Sequence, residues 1–132
     1  MKNRLRHDQS GQTATEFALV LPVFCLLLFA VIQFGILFNN YLTLTDAVRA
    51  GARTAAVSRH EANPEGNAEA SVRSAAANLD QPCTTGLCVD VDGTWEHGED
   101  VTVEATYPYE INLLGWVAAS GRLTSSTTER VE

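Results

Sequence analysis

Basic residues are scarce in this 132-residue chain: 9 Lys and Arg stand against 16 Asp and Glu, a formal net charge of −7. Beyond the first few residues they form no cluster. Phosphate binding rests on Lys and Arg, so nucleic acid is excluded as a partner. Cysteine is sparser still, and three residues (Cys25, Cys83 and Cys88) are too few for a disulfide scaffold. His7, His60 and His97 stand apart, with no serine or cysteine nucleophile in a recognisable setting. No catalytic constellation forms, so the expectation is a protein that is not an enzyme and carries no cofactor. The length holds one small domain, and less than the whole chain is available to it.

The apolar residues are unevenly spread. Phe17 to Phe38 form a run of 22 residues without a formal charge and with one strongly polar side chain, Gln33. As a helix this run spans roughly 33 Å, close to the ~30 Å hydrocarbon core of a bilayer. A cleaved secretory signal fits poorly, because its apolar region is about 7–15 residues and ends at small residues; here Asn39, Asn40, Tyr41 and Leu42 follow. A buried core helix fails too, since so short a chain cannot cover the run on all sides. A membrane span is therefore expected. Lys2, Arg4 and Arg6 precede it, and the nearest basic residue beyond it is Arg49. The positive-inside rule then puts the N-terminus in the cytoplasm and the rest outside the cytoplasmic (inner) membrane. Residues 39–132 hold 14 acids and 6 bases, so the outer part carries −8, against +1 for residues 1–38.

The entrance to the span, Ser10 to Phe17, supports two readings. Thr13 followed by Glu16 ahead of an apolar run is a capping-box pattern, with an acid suited to the helix dipole. That leaves Gly11 and the basic leader unexplained. A short basic leader, Gly11, Gln12 and then Glu16 at the edge of an apolar helix together resemble a prepilin-type processing site. Such a site is cut between Gly11 and Gln12 by an intramembrane aspartyl peptidase, and glycine lets the backbone approach the catalytic groups. Cleavage leaves a positive amine on Gln12 about one turn from the Glu16 carboxylate. In a bundle of such helices an unpaired charge near hydrocarbon is costly, so this pairing would set the register of packed subunits.

With Glu16-Phe17-Ala18-Leu19-Val20-Leu21-Pro22, Gln33-Phe34-Gly35 and the stretch Ala47 to Ala56, the chain resembles the TadE-like minor pseudopilins of the tight-adherence (Flp) pilus, a branch of the type IV pili. The resemblance is specific over residues 11–57 and loose beyond, in Val101 to Tyr109 and Ser125 to Glu132. It implies cleavage by the system's prepilin peptidase and a place in initiating or supporting an adhesive pilus. Its partners would be that peptidase, other pilins or pseudopilins, pilus-assembly membrane proteins and the lipid bilayer.

Leu37, Tyr41, Leu44, Val48 and Ala55 share a helical face, so the membrane helix is expected to continue to about Val57, with Asn63-Pro64 stopping or kinking it. Ala47, Gly51 and Ala55 form a small-x-x-x-small ladder that packs on the chain's own sheet or on another subunit. Arg49 and Arg53 stand one turn apart, with Asp46 three residues before Arg49. They form a solvated ion pair or dock an acidic partner.

The Ala-rich stretch from about Glu65 to Leu79 predicts a second helix. Cys83 and Cys88 lie outside the membrane, in an oxidising compartment, so a disulfide is expected there; a metal pair would need further ligands, and only His97 and nearby acids offer themselves. Cys25 reads as an apolar filler rather than a lipid-attachment site. Val89–Thr94 and Asp100–Tyr107 alternate as strands. The acidic loop between them misses the EF-hand spacing and reads as a solvated hairpin. Ile111 to Ala118 is strongly apolar, either core or a patch facing membrane or partner. Leu123 to Val131 reads as a final strand.

The expected architecture is α+β and pilin-like: a long N-terminal transmembrane helix packed on a short helix and a small antiparallel sheet of three or four strands. Residues 1–11 are the basic leader, 12–57 the transmembrane and extended helix, and 58–132 a small extracytoplasmic domain. The rival reading is an uncleaved single-pass anchor for a binding or sensory ectodomain.

Overall fold

The computed structural model describes residues 9–113 and 115–132, with side chains from residue 11 onward. The expected leader thus lies largely outside the described residues. Helix α1 runs Gln9–Val57, 49 residues with Pro22 inside it. Its apolar window is long and apolar enough to cross a membrane, and none of that window is buried by the rest of the chain. Phe17, Leu19, Val31 and Phe34 each leave more than 60% of their surface open. An all-round apolar helix left open on most of its surface satisfies its own backbone and is suited to hydrocarbon. One long apolar N-terminal helix is consistent with a single-pass membrane protein.

The second half of α1 differs in pattern and in surroundings. Leu44, Ala47, Val48, Ala52 and Ala55 recur on one side and are fully buried. They pack under α2, Pro64–Ala75, and a three-stranded antiparallel sheet of β1, Cys88–Gly93, β2, Asp100–Leu113, and β3, Trp116–Arg130. The order is β1-β2-β3, so β2 is central. Val101, Val103 and Ala105, alternate residues of β2, point into the core, where Val72 of α2, Leu79, Leu87 and Val131 complete it. The last carbonyls of α1 are orphans of the helix ladder, and the backbone N–H of Glu132 donates to Ala56 O at 3.1 Å. The chain end is thereby tied to the helix end.

Asn63-Pro64 has another role than the expected stop. α1 already ends at Val57, and Asn63 is the N-cap of α2, its Oδ1 accepting the Gly66 N–H at 3.0 Å with Pro64 in the first turn. Proline fits there because it lacks the N–H that a first turn leaves unbonded. α2 ends at Ala75 instead of continuing to Leu79; residues 76–79 form turns that swing Leu79 into the core. Among the described residues the sheet has three strands. β2 and β3 are much longer than the alternation predicts, because they continue as a two-stranded ribbon past the end of β1, where Cys88 pairs with Thr106. Pro108 sits in that ribbon, paired with Arg122. On that side no third strand asks for the missing donor, which is the setting in which a strand tolerates proline.

Candidate functional site

The processing-site residues all lie on α1. Gly11 is exposed, and a Cβ built on it would meet nothing within 4 Å. Its carbonyl accepts the Thr15 hydroxyl at 2.9 Å. The Gln12 side chain donates from Nε2 to Glu16 Oε1 at 3.1 Å, one turn along. Phe17 follows, 64% exposed, as the first residue of the apolar run. The helix runs through Thr13 and does not begin there, so Glu16 lies beyond the first described turn and the capping-box geometry is not formed. What the segment presents is a side-chain-free backbone position five residues before a carboxylate at the polar edge of an exposed apolar helix.

The second group of residues lies beyond the apolar run. Ala47 and Ala55 are fully buried, and Gly51 between them is buried. A Cβ on Gly51 would overlap Val72 Cγ2 and stand 3.2 Å from Ala68 O and 3.5 Å from Val103 Cγ1. The ladder thus receives α2 first and the sheet second, inside the same chain, where the sequence suggested sheet or subunit. Small residues permit that backbone approach, since two helices carrying larger side chains keep about 8–10 Å between axes. Arg49 and Arg53 face away from this contact and are exposed. Arg49 Nη1 stands 3.6 Å from Asp46 Oδ1, with both side chains more than two-thirds exposed. A pair so exposed contributes at most a few tenths of a kcal/mol. Arg53 makes no salt bridge among the described residues, so this face carries positive charge on an otherwise acidic domain.

Cys83 and Cys88 are joined by a disulfide, with Cα atoms 4.4 Å apart. It closes the turn that delivers Leu87 into the core and leads directly into β1. Replacing both cysteines by serine is expected to lower stability by about 2 kcal/mol, the chain-entropy value for so short a loop. Urea unfolding of the two forms measures it, and equal midpoints would show that the turn is held by packing alone. Cys25 is free and half-buried on the apolar helix. Among the described residues no group of three His, Cys, Asp or Glu stands close enough to hold a metal ion.

One juxtaposition escaped the sequence reading. Gln33, the polar exception in the apolar run, donates from Nε2 to the carbonyl of Asn112 at 3.2 Å. That bond ties α1 to the end of the β2–β3 ribbon, 79 residues further on. Gln33 was visible in the sequence as an anomaly, but nothing there names its partner.

Residues 11–53 match the model of the family described as TadE-like protein. That segment holds the processing-site residues, the apolar run and the first part of the small-residue ladder. No curated protein matches the chain. No solved structure matches it either.

Proposed function

We propose, from the TadE-like character of residues 11–53, that the protein is a membrane-anchored minor pseudopilin that acts in assembly of an adhesive tight-adherence pilus and performs no catalysis itself. The observation that carries this reading is the arrangement at the start of α1. Gly11 is exposed with open space around it, and Gln12 is bonded to Glu16 at the edge of an apolar helix whose membrane-crossing window has no residue buried by the chain. A peptidase within the membrane needs an accessible backbone at that position, and an assembling subunit needs a bare apolar helix to pack against its neighbours. The basic leader favours a cytoplasmic N-terminus, which puts residues 58–132 on the outer side of the inner membrane. Prepilin peptidase and other pilins or pseudopilins are the partners this reading requires.

The test is the intact mass of the protein purified from membranes with and without the prepilin peptidase. Loss of residues 1–11 only when the peptidase is present is the expected result. The same uncut mass in both would leave an anchored ectodomain, and assembly would no longer explain the bare helix.

A further inference from the structure

The β2–β3 ribbon runs down beside α1 toward the membrane-crossing segment, and its end is apolar. From Ile111 to Gly121 the sequence holds no charged residue; Glu110 and Arg122 are the first charges on either strand. Tyr107 to Glu110 lie against Asn40, Leu37, Ile36 and Gln33 of α1. Farther along, Asn112 accepts the Gln33 bond, and Leu113, Trp116, Val117 and Ala118 share an apolar cleft with Leu26. Strand and helix agree in length: Asn40 to Leu26 rises roughly 21 Å along a helix, and Tyr107 to Leu113 roughly 20 Å along a strand. The ribbon end therefore stands at the axial level of residues 26–33, within the uncharged run 17–38. Yet Trp116 is 83% exposed and Val117 58%.

A bilayer that accepts Leu26 to Gln33 meets the ribbon end at the same depth. We propose that the β2–β3 tip is a wedge seated in the lipid leaflet on the ectodomain side, with Trp116 at the boundary of headgroups and acyl chains. The proposal rests on α1 crossing the membrane. Charge places the boundary. Glu110 and Arg122 stay in the headgroup layer, and three residues of strand beyond Glu110 carry the tip roughly 10 Å inward, the depth reached by interfacial apolar segments. Tryptophan suits that level because its ring is apolar and its indole N–H is polar. Unpaired strand edges cannot be left in hydrocarbon, which bars deeper entry. Where the ladder shifts register between Ile111 and Asn112, the Asn112 carbonyl is bonded by Gln33. The one strongly polar side chain of the span thus satisfies a backbone group that lipid could not. The turn closes at Gly115 with φ +90°, a conformation natural to glycine.

The experiment uses the full chain in phosphatidylcholine vesicles with bromine on the acyl chain near its carbonyl end or near its methyl end. Trp116 emission is the difference between wild type and Trp116→Phe, which leaves Trp95, at the far end of the sheet, untouched. The expected result is that about half or more of Trp116 emission is lost to bromine near the carbonyl end, with little loss to aqueous iodide. A second reporter, Phe29→Trp in the Trp116→Phe background, reads the span itself at the axial level of the ribbon end and is expected to be quenched by acyl-chain bromine as Trp116 is. Quenching of Phe29→Trp by lipid, with Trp116 open to iodide, overturns the wedge and leaves the span intact. Protection of Trp116 from iodide that grows with protein concentration, without lipid quenching, assigns the tip to a second copy and also overturns the wedge. No lipid quenching at Phe29→Trp removes the span, and the wedge with it.

Discussion

Gly51→Leu is expected to unseat α2 from α1 and to cost the outer domain about 3 kcal/mol, the upper part of the usual range for overpacking a tight contact. The sign for alanine at the same position is the sharper case. In an exposed helix interior, Gly→Ala stabilises by about 1 kcal/mol, because glycine loses more backbone freedom on folding. At Gly51 the new Cβ overlaps Val72 Cγ2 and stands 3.2 Å from a backbone carbonyl. Val72 cannot give way cheaply: it is fully buried, and a β-branched residue in a helix has one strongly preferred rotamer. The clash therefore outweighs the propensity gain, and Gly51→Ala is expected to destabilise by about 1 kcal/mol net. Urea unfolding of the single variants, of Val72→Ala and of the double variant measures the contact directly. The double variant should fall well short of the sum of the two single losses, with a coupling of about 1 kcal/mol. A Gly51→Ala protein more stable than wild type would mean that α2 does not rest on this glycine.

What the sequence revealed depends on whether each signal was local. The apolar run 17–38 and the face made by Leu44, Val48 and Ala55 are periodic within α1, so both the span and the helix end at Val57 could be read from spacing. The alternation Val101, Val103, Ala105 marked the core side of β2 in the same way. Partners are not periodic. Gly51 announced that a backbone comes close, and only the fold says that it belongs to α2. Asn63-Pro64 is a break signal in either direction, and the cap geometry decides that it opens a helix. The ribbon from Tyr107 to Leu123 was hidden because Pro108 argues against a strand and Ile111 to Ala118 does not alternate. Both features become acceptable where a ribbon leaves the sheet and lies along a helix. In the candidate site, Gly11, Gln12 and Glu16 were legible as a motif. The bond from Gln33 to Asn112 spans 79 residues and carries no sequence signature.

Glu16→Ala is expected to leave membrane insertion unchanged and to lower filament number by roughly tenfold or more. Insertion is carried by the apolar run that begins at Phe17, which the substitution does not touch. The charge sits at the edge of the span: the apolar run begins at Phe17, so the Glu16 carboxylate lies at the boundary of the hydrocarbon. An ionisable group there is costly unless paired, by roughly 2.5–3.5 kcal/mol at the centre of a span and less toward its edge. In the single chain Glu16 accepts the neutral Gln12 side-chain amide at 3.1 Å. In the proposed processing, cleavage converts the backbone nitrogen of Gln12 to an ammonium, which places two opposite charges about one turn apart. Pairing between neighbouring helices then fixes how far one subunit slides along another. About 1.4 kcal/mol lost from that contact is a tenfold change in an assembly equilibrium. Glu16→Gln separates charge from shape: it keeps the acceptor and removes the charge, and should also pilate poorly. Membrane fractionation with a count of filaments by electron microscopy reads both effects. Normal piliation in Glu16→Ala cells would sink the register argument, and loss of the protein from the membrane would show that Glu16 acts in insertion.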